Sequence, residues 1–191
     1  MQASLAHQKL FNDLDAAYTQ RIVWGFGSLD SPICLVGEAP GENEDRYGKP
    51  FVGKSGEILD NALSVANLTR NDCYITNVVK YRPPNNKTPG KRLICEFLPT
   101  LLQEIEALNP AVICTMGKTA LIALTQSDPG GYTKLTEALN QDIEIEIGSK
   151  IYPLIATYHP IGACMARGGL AQFQQDITKL GDYCGKANQT A

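Results

Sequence analysis

The sequence predicts an α/β fold in three layers, α/β/α, with a central, mostly parallel four-stranded sheet and helices on both faces. Three observations carry this. Short apolar, β-branched runs recur near residues 32–36, 73–79, 111–115 and 151–157. Amphipathic stretches with helical spacing separate them. The first run opens into a long glycine-rich loop, Gly37 to Gly56, and in open α/β sheets ligands bind at loops on the carboxyl ends of strands. At 191 residues the chain reads as a single domain over 1–191, long enough to bury a sizeable core.

Composition narrows the class. A hydrophobic content of 43% and a charged content of 19% fit an ordinary globular protein. No apolar run has the length of a membrane span, and no signal pattern opens the chain, so a cytoplasmic, non-membrane protein is expected. The net charge of −3 excludes a global basic field for nucleic acid but leaves room for a local basic groove. None of the six Cys forms a C-x-x-C pair. Cys34, Cys73 and Cys114 fall in or beside apolar runs and read as small buried hydrophobes, with no disulfides in a reducing compartment.

Taken in order, Leu5, Leu10, Phe11, Leu14 and Tyr18 predict an N-terminal helix over 3–20. An aromatic connector, 22–27, leads to the first strand and the central loop. Ser55 stands where an N-cap would precede a helix running to about Asn67. Cys73 to Val79 is a strand. Residues 81–90, with Pro83, Pro84 and Pro89, exclude regular structure. A helix from about Arg92 to Leu108, a strand at 111–115 and a short helix at 118–125 follow. Asp128-Pro129-Gly130-Gly131 is a turn. Residues 143–147 alternate Ile and Glu and read as an exposed edge strand. The strand 151–157 ends at Tyr158-His159-Pro160. A glycine-flanked segment, 162–169, leads into a last helix over about 170–182, and 184–191 reads as a loose tail. Strand ends then gather Glu38, Glu44, Phe51, Asn77 and His159 at one edge of the sheet.

One motif misleads. Gly48 to Ser55 matches the phosphate-loop pattern G-x-x-x-x-G-K-S. A true phosphate loop follows a strand directly, whereas Gly48 follows the polar run Glu42 to Tyr47. The three carboxylates there would repel a triphosphate, and Pro50 removes an amide. The segment instead presents Phe51 and then begins a helix, whose N-terminus can hold one DNA phosphate.

The run Gly37-Glu38-Ala39-Pro40-Gly41, continuing through Glu44-Asp45, Gly48 and Pro50-Phe51-Val52-Gly53-Lys54-Ser55-Gly56, resembles the first motif of the family 4 uracil-DNA glycosylases. Ile75 to Lys80 with Arg82-Pro83-Pro84 resembles the family's next block, and His159-Pro160 its second catalytic motif. The resemblance spans about residues 24–180. It implies a monofunctional DNA glycosylase that hydrolyses the bond between deoxyribose and a flipped-out uracil, leaving an abasic site, with DNA containing uracil or a modified pyrimidine as partner and the enzyme a monomer. Phe51 is implied to stack on the base. Gly37, Ala39 and Asn77 would complete the base site, the Asn77 amide matching uracil O4 and N3–H. His159 would donate to O2 as charge builds there. Glu38 and Glu44 are the candidates for placing water and stabilising the sugar cation, with their division of labour open. Lys54, Ser55, Lys80, Arg82 and Arg167 are candidate DNA contacts, and Met165 a candidate wedge into the vacated stack.

The resemblance has two departures. Family 4 enzymes generally carry a [4Fe–4S] cluster on four Cys. Here residues 1–33 hold no Cys, Tyr81 stands where the family has one, and only Cys95 matches a ligand position. The expectation is no cluster and no metal, with Tyr81 and the N-terminal helix filling that place by packing. The loop after His159-Pro160 also differs, running Ile161 to Arg167, which keeps two alternatives open: excision of a modified pyrimidine, or a DNA- or partner-binding protein without catalysis. No His lies in the helix after the Pro-rich loop, so covalent trapping of DNA is not expected.

Overall fold

The computed structural model describes residues 18–125 and 132–186. Its centre is a six-stranded sheet: β1 Phe26–Gly27, β2 Ile33–Gly37, β3 Cys73–Asn77, β4 Val112–Met116, β5 Ile143–Ile147 and β6 Lys150–Thr157, in the order β1-β3-β2-β4-β6-β5. The four predicted strands form the parallel centre, β3-β2-β4-β6. The correction to four strands lies at the edges. β5 pairs antiparallel with β6, and β1, only two residues long and predicted as connector, pairs antiparallel with β3.

Burial explains the strand sequences. Every residue of β2, β3 and β4 is buried, because helices cover both faces of parallel strands. β5 alternates instead, with Ile143, Ile145 and Ile147 inward and Glu144 and Glu146 outward. Side chains of the central strands divide by parity. Cys34, Val36, Tyr74, Ile113, Leu154 and Ala156 pack against helix α3, Lys91–Leu108, and helix α4, Lys118–Thr125. Ile33, Leu35, Cys73, Ile75, Val112 and Cys114 pack on the other face against α2, Lys54–Val65, and α7, Gly169–Lys179. Cys34, Cys73 and Cys114 are fully buried, and burial pushes the Cys34 thiol far up.

Several boundaries differ from expectation. The central loop contains a short helix, α1, Glu42–Tyr47, with no buried residue to mark it in a hydrophobicity pattern. The N-cap of α2 is Gly53, so Ser55 lies inside the first turn. β3 ends at Asn77, and Val78 and Val79 turn to donate to the Gly37 and Glu38 carbonyls, both at 3.0 Å. A four-residue helix, α5, Leu135–Ala138, precedes β5. The glycine-flanked segment and last helix resolve into α6, Pro160–Met165, then α7 and α8, Gly181–Lys186, so 184–186 are helical. The N-terminal helix lies outside the described residues except for 18–20, which are not helical; the turn at 128–131 and residues 187–191 also lie outside. Among the described residues, no helix is long and apolar enough to cross a membrane.

Candidate active site

The carboxyl ends of β2, β3 and β6 open onto one cavity of about 660 Å³, lined by Ala39, Gly41, Glu44, Phe51, Ser55, Asn77, Asn86, His159, Ile161 and Gly162. Each wall has a separate support.

Gly37 ends β2 where a Cβ would collide with both the Asn77 amide oxygen and the Phe51 ring. Its lack of a side chain brings those two groups together. Phe51 holds a left-handed backbone, φ +52, and is almost fully buried. That conformation is costly for a bulky residue and needs external support. Arg70 supplies it, donating to the Phe51 carbonyl and to the Pro50 carbonyl at 3.3 Å while paired with Asp60. The Phe51 ring lies 6.2 Å from the His159 ring, inclined by 33°.

His159 is the N-cap of α6, with Pro160 at the first helical position. It is half-buried, and desolvation lowers its pKa despite the opposing pull of Glu38 and Glu44. The imidazole is therefore neutral at neutral pH, with one N–H to donate.

The two glutamates do different things. Glu44 accepts three backbone amides, from Gly41 at 3.1 Å and from Val52 and Gly53 at 2.9 Å. It staples the loop on which Phe51 rides. It also disposes of the phosphate-loop pattern, because amides that would cradle a phosphate already hold an internal carboxylate. Glu38 follows β2 directly and accepts a hydrogen bond from Thr119. Both carboxylates act electrostatically on His159.

Lys80 is a correction. It is fully buried, and its ammonium donates to Thr76 Oγ1 and the Asn77 carbonyl, each at 2.7 Å, and to the Glu104 carboxylate. It reaches no phosphate. Glu104 also accepts from Tyr74 at 2.7 Å and Thr76 at 2.9 Å, so the buried pair is enclosed by partners, as a buried charge requires. Arg82 is partly exposed; its Nε donates to Asn86 Oδ1 at 2.7 Å, and Glu42 lies 3.5 Å away. Lys54 and Arg167 are exposed, Ser55 borders the cavity, and Met165 is 83% exposed at the end of α6. Asn86, Glu104 and Thr119 were not predicted. Asn86 hides among turn-forming residues, and the other two sit in helices whose sequences mark only amphipathicity.

Tyr81, which stands where the resemblance places a cluster cysteine, sits among aromatics. Tyr81 meets Phe97 edge-on at 5.5 Å, and Tyr18 stacks on Phe97 at 5.0 Å and donates to Glu96 at 2.6 Å. Cys95 is exposed. A single cysteine at the expected positions, Cys95, does not fit a four-thiolate cluster.

Fold and cavity together define an α/β protein with an aromatic, amide and imidazole pocket at the carboxyl edge of a parallel sheet. The chain matches the uracil DNA glycosylase superfamily over residues 24–180. It is 35% identical to the type-4 uracil-DNA glycosylase of Archaeoglobus fulgidus over 87% of this chain and 83% of the relative. Identity to the Pyrobaculum aerophilum type-4 enzyme is 37%, over 84% and 82% of the two chains. For the Thermotoga maritima type-4 enzyme it is 42%, over 73% and 69%. The chain belongs to the uracil DNA glycosylase superfamily and is an N-glycosyl hydrolase.

Proposed function

We propose that this protein hydrolyses the N-glycosidic bond of uracil flipped out of DNA, leaves an abasic site and has no lyase activity. The observation that carries the reading is the convergence of Phe51, Asn77 and His159 on one cavity from the chain segments that follow β2, end β3 and follow β6. In this reading the base leaves the stack and slides against Phe51. The Asn77 amide pairs with O4 and N3–H, which discriminates uracil from cytosine because cytosine reverses the donor and acceptor pattern. As the C1′–N1 bond lengthens, negative charge gathers on the base and the neutral His159 donates to O2. Glu38 places water and offsets the positive charge on the sugar. Glu44 holds the loop and adds to the field. Gly37 and Ala39 form the floor and wall. Met165 enters the vacated stack, with Lys54, Ser55, Arg82 and Arg167 as backbone contacts.

The protein acts without an iron–sulfur cluster, the ring packing of Tyr81 replacing it; purified protein lacking iron and visible absorbance would agree. We further read it as a single domain acting as an intracellular monomer. A labelled oligonucleotide with one uracil, treated with enzyme and then alkali, tests the activity. Cleavage at the uracil, lost in His159→Ala, is expected. Intact DNA in both single- and double-stranded form would overturn it. The breadth of the cavity beside small Ala39 also admits a substituted pyrimidine, which a panel of modified bases separates from uracil.

A further inference from the structure

The junction of β4 with the first turn of α4 touches His159 and Glu38 at once, and neither contact follows from the motifs. Gly117 has φ +99, and its N–H donates to the Thr157 carbonyl at 2.8 Å. A Cβ there would come within 3.1 Å of the His159 Cβ, so the turn packs directly against the imidazole's stem. Two residues on, Thr119 Oγ1 donates to Glu38 Oε2 at 2.5 Å. We infer that Thr119 is a positioning residue for the Glu38 carboxylate, holding one oxygen so that the group faces the scissile bond in a single orientation. This rests on the reading of Glu38 as the water-placing carboxylate.

The Glu38 main chain is already fixed, since its residue follows β2 directly and its carbonyl accepts Val79 N–H at 3.0 Å. What is left are the side-chain torsions, and an unheld carboxylate would spend much of its time elsewhere. Thr119 removes that freedom cheaply, because its β-branch restricts its own rotamer. A purely structural staple is a poor account of the same bond. α4 is anchored by Ala120, Leu121, Ala123 and Leu124, all buried, whereas Thr119 is only partly buried.

The test is a two-by-two set of full-length variants read by single-turnover excision, with DNA affinity and thermal midpoint measured alongside. Thr119→Val keeps the shape and removes the donor; it should slow excision by about tenfold, the order expected for one hydrogen bond to a charged group. Binding and midpoint should stay close to wild type, and Thr119→Ser should restore most of the rate. In a Glu38→Ala background, Thr119→Val should cost nothing further. An equal cost with and without Glu38, a serine variant as slow as valine, or a valine variant at full rate would overturn the inference. Glu38→Ala at full rate would instead overturn the role of Glu38, and this inference with it.

Discussion

Three residues of the β3–α3 connection, Val78 to Lys80, separate two regions with opposite tolerances. At Asn77 the chain faces the base cavity. At Tyr81 it faces an aromatic patch with Phe97 and Tyr18. On the proposed function, the first region needs particular chemical groups at particular points, because reading a base edge depends on donors and acceptors. The second needs only volume, because rings and thiolates can both hold a loop in place. On the proposed function, tyrosine in place of the family's cysteine is compatible with an intact site, whereas replacement of Asn77 is not. Lys80 stands between them: its ammonium holds the Asn77 carbonyl, and its own carbonyl ties the connection to Val23, whose N–H it accepts at 2.7 Å.

Breaking that joint should have the largest effect. Lys80→Met leaves Glu104 charged and buried without its cation and should cost about 3–5 kcal/mol in urea unfolding. The companion Glu104→Gln should recover part of it. A salt dependence of DNA binding that changes with Lys80 would contradict its burial. Next, His159→Ala and Asn77→Ala should each lower the excision rate by about 10²-fold or more, as for a lost transition-state donor, with the thermal midpoint little changed. Tyr81→Ala should show the reverse pattern, losing about 2 kcal/mol of stability while the excision rate per folded molecule persists. A large rate loss in Tyr81→Ala would show that the two regions are not separable.

A pH effect sharpens the same contrast. The folded pKa of His159 lies below its ordinary value near 6.5. The unfolded chain therefore takes up the proton first as pH falls. Stability from the neutral imidazole is complete above about pH 6.5 and is lost as pH falls from there through the folded value. His159→Asn should remove that dependence in chemical unfolding followed across this window. The smallest effects belong to the surface cations: Lys54→Ala and Arg167→Ala should each reduce the salt slope of DNA binding by about one, without altering base preference.

Much of this site is legible along the chain. The strand runs, the glycine-rich loop and the singular His159-Pro160 pair point to one sheet edge, and Phe51, Asn77 and His159 meet there. Boundaries at α1 and α5 were not legible, because helices of six and four residues bury too little to leave a periodic mark. The fate of the charges was also hidden. Lys54 and Lys80 read alike as phosphate contacts, yet one is exposed and the other fully buried. Glu38 and Glu44 read alike as carboxylates for placing water and stabilising the sugar cation, yet Glu44 accepts three amides of its own loop.

What the amino-acid order determined by itself was local: period, turn chemistry, and the residue types that end each strand. Backbone sterics and hydrophobic spacing act over a few positions, so a run such as Cys73 to Asn77 declares itself. Only the tertiary structure decided which charge is a tool and which is a strut. Lys80 is buried where Glu104, on helix α3, meets it, and Glu38 accepts its hydrogen bond from Thr119, in the first turn of α4. Electrostatic and hydrogen-bond energies depend on distance and desolvation in space, and separation along the chain carries neither.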